Sequence, residues 1–222
     1  GLGDVYKRQV QKGSAFGAID STGAVVIPIE YTNSLTSVNN GRLGVQKNAS
    51  WFYVDMKGQI VSDKYDRIGN FHQGYASVCL NKLWGAIDLQ NRVVVPLEWQ
   101  GVAPIVDPKL IWVKKDNLYY LYDGVQKSVR LKQGFANASN FDNEMAYVMS
   151  DGKWGIIDPD GKVLVPCLFE KEEDMVLAKQ YMLAEDKKNL TEVEALRVIA
   201  RFDPDTNMFK ITSVIPDKHW DY

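Results

Sequence analysis

The chain has 222 residues, 45% hydrophobic, 24% charged and 11% aromatic, with a formal net charge of −2. That length allows a sizeable buried core. The near-neutral charge leaves no footprint for nucleic acid, no Lys/Arg run marks a membrane surface, and no apolar stretch approaches the ~18 residues of a membrane span.

Residues 1–9, GLGDVYKRQ, contain no Met and read as translated sequencing-adapter sequence, an artefact set aside from the fold. On that reading the natural start is missing, so the lack of a leader peptide leaves the compartment open between envelope, secreted and cytoplasmic. From residue 10 a pattern recurs. An aromatic anchor stands at Phe16, Trp51, Trp84, Tyr119 and Trp154, at intervals of 35, 33, 35 and 35 residues. Four residues after each anchor comes an aspartate: Asp20, Asp55, Asp88, Asp123 and Asp158. Six residues before each comes a valine: Val10, Val45, Val78, Val113 and Val148. Three positions in register over five copies define a tandem repeat of about 35 residues.

Other positions hold in most copies. Gly23, Gly58 and Gly161 follow the anchor by seven residues, with Asn91 in the third copy, and Pro28, Pro96 and Pro166 follow it by twelve. An aromatic falls fifteen after the anchor at Tyr31, Trp99 and Phe169, and one place early at Tyr65. The fourth copy, YYLYDGVQKSVRL, lacks both the Gly and the Pro.

Within a copy, GYASVCLN alternates Ala76, Val78 and Leu80 with Tyr75, Ser77 and Cys79, the signature of a half-buried strand. Asn81-Lys82 connects it to LWGAID, a strand apolar on both faces. DSTG, DMKG, DLQN and DPDG are turns, because an Asp side chain bonds backbone two residues on and Gly tolerates positive φ. VVVP is a third strand, ended by a Pro that cannot donate to a ladder. Each copy is thus a three-stranded antiparallel meander, with room for a short fourth strand. A lone meander cannot bury its aromatic and Val faces, so neighbours must stack. The expected fold is all-β, its meanders stacked either as a β-propeller or as an open superhelical array.

The expected layout is five copies over 10–175, a degenerate sixth over 176–216 and a tail at 217–222. In the sixth, Ile199 takes the anchor position and Asp203 the turn position, with YMLAEDKK as first strand. The rival reading is a helix from about Leu190 to Arg201, on the spacing of Leu190, Val193, Leu196 and Ile199.

KLWGAIDLQNRVVVPLEW and GKWGIIDPDGKVLVPCLF strongly resemble the WG repeat family of bacterial proteins, whose pattern is an aromatic-Gly pair, Ile-Asp, a Gly, an apolar run and Pro. The resemblance covers 10 to about 175 well and 176–216 loosely; Phe16 replaces Trp in the first copy, and the second and fourth depart at the Gly. It implies a bacterial repeat protein that mediates binding, and carries over no catalytic residue.

The chemistry-bearing residues fit structural roles. A ring of Asp carboxylates would suit cations, and Asp158-Pro-Asp160 or Asp203-Pro-Asp205 loosely suggests a calcium loop, but no Glu closes it at EF-hand spacing, so a turn role is expected and no metal. Trp51, Trp84 and Trp154 would stack on sugars or bases if exposed; burial in the middle strand accounts for them instead. Tyr31, Trp99, Trp112 and Phe135, outside the strands on this reading, have better odds of exposure, though core is still the expectation. Cys79 and Cys167 lack metal-ligand spacing and sit in apolar runs, as buried thiols do. The only histidines are His72 and His219, no nucleophile–base set or phosphate loop occurs, and Glu172-Glu173 lies in the solvated run EKEED. No catalytic residue and no cofactor are expected. A non-catalytic scaffold or protein-interaction module is expected, its binding face formed by loops such as 99–110 and 171–192. The alternative is a cell-envelope or secreted glycan-binding protein.

Overall fold

The structure is a computed structural model and describes residues 8–33, 35–172, 179, 198–203 and 208–214. The first copy is a three-stranded sheet of β1 (Arg8–Lys12), β2 (Ala15–Ile19) and β3 (Val25–Tyr31). Arg8 and Gln9 pair with Ile19 and Ala18, so the two residues set aside with the N-terminal segment extend β1. The second copy pairs β4 (Leu43–Lys47) with β5 (Ser50–Val54). The third is four-stranded: β6 (Arg67–Ile68), β7 (Tyr75–Leu80), β8 (Leu83–Asp88) and β9 (Val93–Trp99). The fourth repeats that order with β10 (Gly101–Val102), β11 (Ile111–Lys115), β12 (Leu118–Asp123) and β13 (Ser128–Val129). So does the fifth, with β14 (Asn137–Ala138), β15 (Ala146–Ser150), β16 (Lys153–Ile157) and β17 (Val163–Phe169). The short extra strand is therefore the first of the sheet, and only two residues long in each case.

β18 (Val198–Asp203) and β19 (Met208–Val214) form a further antiparallel hairpin. It stands where the second and third strands of a sixth copy are expected, and 198–201 are extended rather than helical. The other parts of both readings, YMLAEDKK and 190–197, lie outside the described residues.

Local chemistry closes the hairpins. Between the two long strands, Asn48-Ala49, Asn81-Lys82, Asp116-Asn117 and Asp151-Gly152 all have positive φ, the two-residue turn whose twist matches the flanking strands. The repeated valine then faces the residue after the anchor: Val10 opposite Gly17, Val45 opposite Phe52, Val78 opposite Gly85, Val148 opposite Gly155. Val45, Val78, Val113 and Val148 are fully buried.

The third strand does not end at the proline. In β9, Ala86 faces Val95 while Trp84 faces Trp99, so Pro96, Leu97 and Glu98 oppose the single residue Gly85. β3 and β17 carry the same bulge around Pro28 and Pro166, opposite Gly17 and Gly155. A proline is tolerated there because the bulge has already withdrawn that N–H from the ladder. The bulge also explains the glycine. A methyl group on Gly85 would lie 2.5 Å from the Val95 carbonyl oxygen, and one on Gly155 2.6 Å from that of Val165. Where the glycine is replaced, by Phe52 and Tyr120, the third strand loses its bulge and breaks up. The second copy keeps bridges at Val54–Ile60 and Trp51–Tyr65, the fourth the short β13 and a bridge at Tyr119–Phe135.

The chain divides into two compact units, Gly1–Asp116 with Leu121–Val129, and Asn117–Tyr120 with Arg130–Tyr222. In the first unit, the core forms between copies. One cluster joins Ala18, Ile27 and Tyr31 of the first copy to Leu43, Val45 and Val54 of the second. The next joins Tyr53 and Tyr65 to Phe71, Ala76, Val78 and Ile87 of the third. Burying each such side chain is worth about 1.5–3 kcal/mol, a gain open to no single meander.

Candidate interaction surface

Each anchor aromatic faces a second aromatic, across the bulge in the first, third and fifth copies and through an isolated bridge in the other two: Phe16 with Tyr31, Trp51 with Tyr65, Trp84 with Trp99, Tyr119 with Phe135, Trp154 with Phe169. The partners are the buried members, Tyr31, Trp99, Phe135 and Phe169 each at 5% exposure or less. Of the anchors, only Trp154 is buried; Phe16, Trp51, Trp84 and Tyr119 are half-buried. Tyr31 and Trp99 close β3 and β9, and Trp112 lies within β11, so these three belong to strands, and with Phe135 all four are core. The sequence register had missed Phe135, which sits one place late because the fourth copy carries an extra turn residue.

The repeated aspartates are committed to their own turns. Asp20 Oδ1 accepts from the Thr22 and Ala24 N–H groups at 2.8 and 3.0 Å, and Asp55 Oδ1 from those of Lys57 and Gln59 at 2.8 and 2.9 Å. Asp88 and Asp158 repeat the arrangement, and Asp123 accepts from Val125 and Gln126. The Thr22 hydroxyl, with the backbone donors, holds the Asp20 carboxyl below its ordinary range. For Asp55 and Asp88 burial pushes upward, but backbone donors and, for Asp88, the Arg92 guanidinium outweigh it. Gly23, Gly58, Asn91 and Gly161 supply the positive φ that these turns need.

The other candidates stay apart. Among the described residues no three His, Cys, Asp or Glu side chains gather as a ligand set. Cys79 and Cys167 are free thiols that burial pushes away from the thiolate form. His72 starts a tight turn, its N–H bonded to the Tyr75 carbonyl; His219 and Glu173 lie outside the described residues. No described helix is long and apolar enough to cross a membrane. Segment 99–110 is held by β10 and a buried Ile105, and most of 171–192 lies outside the described residues.

A family model described as WG containing repeat matches residues 16–51, 51–84, 84–119 and 154–171, more than half the chain. The chain belongs to the WG containing repeat family. Each full match runs from one anchor to the next, and the fourth WG repeat, from Tyr119 to Trp154, falls outside it. No curated protein matches the chain. Among solved structures, the WG array is similar to a eukaryotic initiation factor, at 12% identity over 73% of this chain and 52% of that one, with TM-score 0.48. It is also similar to Kluyveromyces lactis Hsv2, at 10% identity over 78% and 56% with TM-score 0.39. A third is PorZ, a bacterial surface component of the type-IX secretion system of Porphyromonas gingivalis, at 12% identity over 73% and 26% with TM-score 0.31. The chain spans about half the length of the first solved chains it matches. At such identities and TM-scores nothing about ligands passes from them to this chain.

One exposed feature recurs in every WG copy. The residue just past the Asp turn that pairs with the residue three after the anchor is β-branched and open to solvent: Val25 at 57%, Ile60 at 54%, Val93 at 43%, Val129 at 38% and Val163 at 42%. Single exposed aliphatics are ordinary. Five at equivalent pairing positions are not; the alignment on the anchors finds four of them nine residues later, and Val129 falls one place late with the extra turn residue of the fourth copy.

Proposed function

We propose that this chain is a non-catalytic interaction module that binds a protein partner along the turn end of its repeats. The observation that carries the reading is the recurring exposed β-branched residue. Among the other repeated side chains, the aspartates cap turns, the valines and second aromatics fill the core, and the glycines admit the bulge. Membership of a repeat family that carries over no catalytic residue supports the non-enzymatic part. Affinity capture with the wild-type chain and with the triple variant Val25→Thr, Ile60→Thr, Val93→Thr tests it. Proteins captured by the first and lost from the second are expected; an unchanged set would place binding elsewhere.

The half-buried anchors Phe16, Trp51, Trp84 and Tyr119 support a second reading, glycan binding on aromatic faces. Titration with cell-wall and host polysaccharides would then give binding that weakens on Trp84→Leu, and no binding across the panel would end it.

A further inference from the structure

We propose that Asn40 is a modification site, where the side-chain amide is lost spontaneously and an aspartyl or isoaspartyl residue is left; this is independent of what the chain binds. Asn40-Gly41 is the single Asn-Gly pair in the chain, and Asp-Gly occurs at Asp123-Gly124, Asp151-Gly152 and Asp160-Gly161. In each pair the glycine N can attack the carbonyl carbon of the preceding side chain, because glycine brings no side chain to crowd the approach. The structure separates the four. The Gly124 N–H donates to the Pro108 carbonyl at 2.8 Å and the Gly161 N–H to that of Asp158 at 2.9 Å, so both are committed elsewhere. Gly41 and Gly152 have no such bond among the described residues, and nothing described lies within 4 Å of a methyl group on either. Of these two, Asp151 offers a carboxylate, a poor electrophile, and Asn40 offers an amide.

Asn40 is exposed at the tip of a two-residue turn, with φ 50° at Asn40 and 71° at Gly41. The turn is closed by the Asn39 N–H on the Arg42 carbonyl at 3.0 Å and the Arg42 N–H on the Asn39 carbonyl at 2.9 Å. Opening that pair lets Asn40 swing its side chain over the Gly41 N, a local event that leaves the buried clusters closed. The Gly41 N bonds to Asn40 Cγ, its proton passes to water, and Nδ2 leaves as ammonia. Water then opens the five-membered imide at either C–N bond. Breaking the bond to Cγ restores the backbone as aspartate. Breaking the bond to the main-chain carbonyl carbon leaves isoaspartate, with an extra carbon in the backbone. No reactant but water is consumed, and either product adds a negative charge. The isoaspartyl form also lengthens the turn, on which two contacts with the third copy depend. Arg42 Nη2 donates to the Leu89 carbonyl at 3.0 Å, and Asn40 Oδ1 accepts from the Gly74 N–H at 3.4 Å. The modification therefore loosens the seam between the second and third copies.

The test incubates the whole chain in mildly alkaline buffer, where loss of the Gly41 amide proton is favoured. Peptide mapping, with fragmentation that tells isoaspartate from aspartate, follows the products. Conversion is expected at Asn40 while Asn33, Asn39, Asn48 and Asn81 persist as amides. Asn40→Gly, which suits the positive φ, should abolish it. Gly85→Ala raises the unfolded fraction about fivefold or more and should leave the rate unchanged, because the turn opens by itself. Incubated wild-type chain should unfold at lower urea than fresh chain, with no such shift in incubated Asn40→Gly. That shift should exceed the one from Asn40→Asp, which adds the charge without the extra carbon. No conversion at Asn40, earlier conversion at another asparagine, or a rate that climbs with the unfolded fraction in Gly85→Ala overturns the inference. An unchanged urea midpoint after full conversion to isoaspartate overturns the loosening of the seam.

Discussion

The turn aspartate illustrates how little room a repeated carboxylate has for a second duty. Asp88 receives the Gln90 and Arg92 N–H groups on Oδ1 and the Arg92 Nε on Oδ2 at 2.6 Å, with its side chain 12% exposed. Replacing it by Ala orphans two backbone donors, and each net bond is worth about 0.5–1.5 kcal/mol. Asp88→Ala should therefore lower stability by roughly 1–3 kcal/mol in urea denaturation. Asp88→Asn keeps an acceptor and should lose less near neutrality. Because the folded carboxyl lies below its unfolded value of about 3.9, its contribution is complete above that pH and fades as pH falls through the lower folded value. Asp88→Asn should accordingly flatten the acid limb of the stability profile below about pH 4, and an unaltered limb would show that other carboxyls govern it. The turn role of the aspartate was legible in the sequence, since its backbone bonds span at most four residues, whereas its pairing with Arg92 and its shifted titration were not.

At the scale of the element, the aromatic-Gly pair and the distant proline are two halves of one device. Gly85 is required because the backbone of the bulge at Pro96 folds over its Cα, and backbone cannot turn aside as a side chain can. Gly85→Ala should cost about 1–3 kcal/mol, the range for overpacking. Gly101→Ala is the control: its new methyl group would meet only Lys114 Cβ at 3.5 Å, ordinary contact. Equal losses from the two would mean that the close approach of the bulge does not explain the recurring glycine. The sequence showed both residues at fixed intervals, yet suggested that the proline stops the strand. Only the register reveals a strand that continues to its closing aromatic.

At the largest scale, the buried clusters of the first unit lie at the seams between copies. Gly23 and Gly58 hold equivalent turns at φ +88° and +80°, so alanine strains both alike. Nothing described lies within 4 Å of a methyl group on Gly23, whereas one on Gly58 meets the first copy's backbone. Gly23→Ala should cost only the left-handed strain, about 1–2 kcal/mol, and Gly58→Ala measurably more. Equal midpoint shifts in thermal or urea unfolding would show that the seam yields without cost.

The sequence alone determined the repeat, its period, the two-residue hairpins, the capped turns and the all-β class, because each rests on contacts within a few residues and is written out five times. The tertiary structure decided which aromatic of each pair is core, why glycine and proline travel together, and which aliphatics remain outside. Those depend on what the neighbouring copy covers, and burial is a property of the stack rather than of the strand. A half-buried Trp84 and a buried Trp99 look alike as letters, and the preceding and following meanders tell them apart.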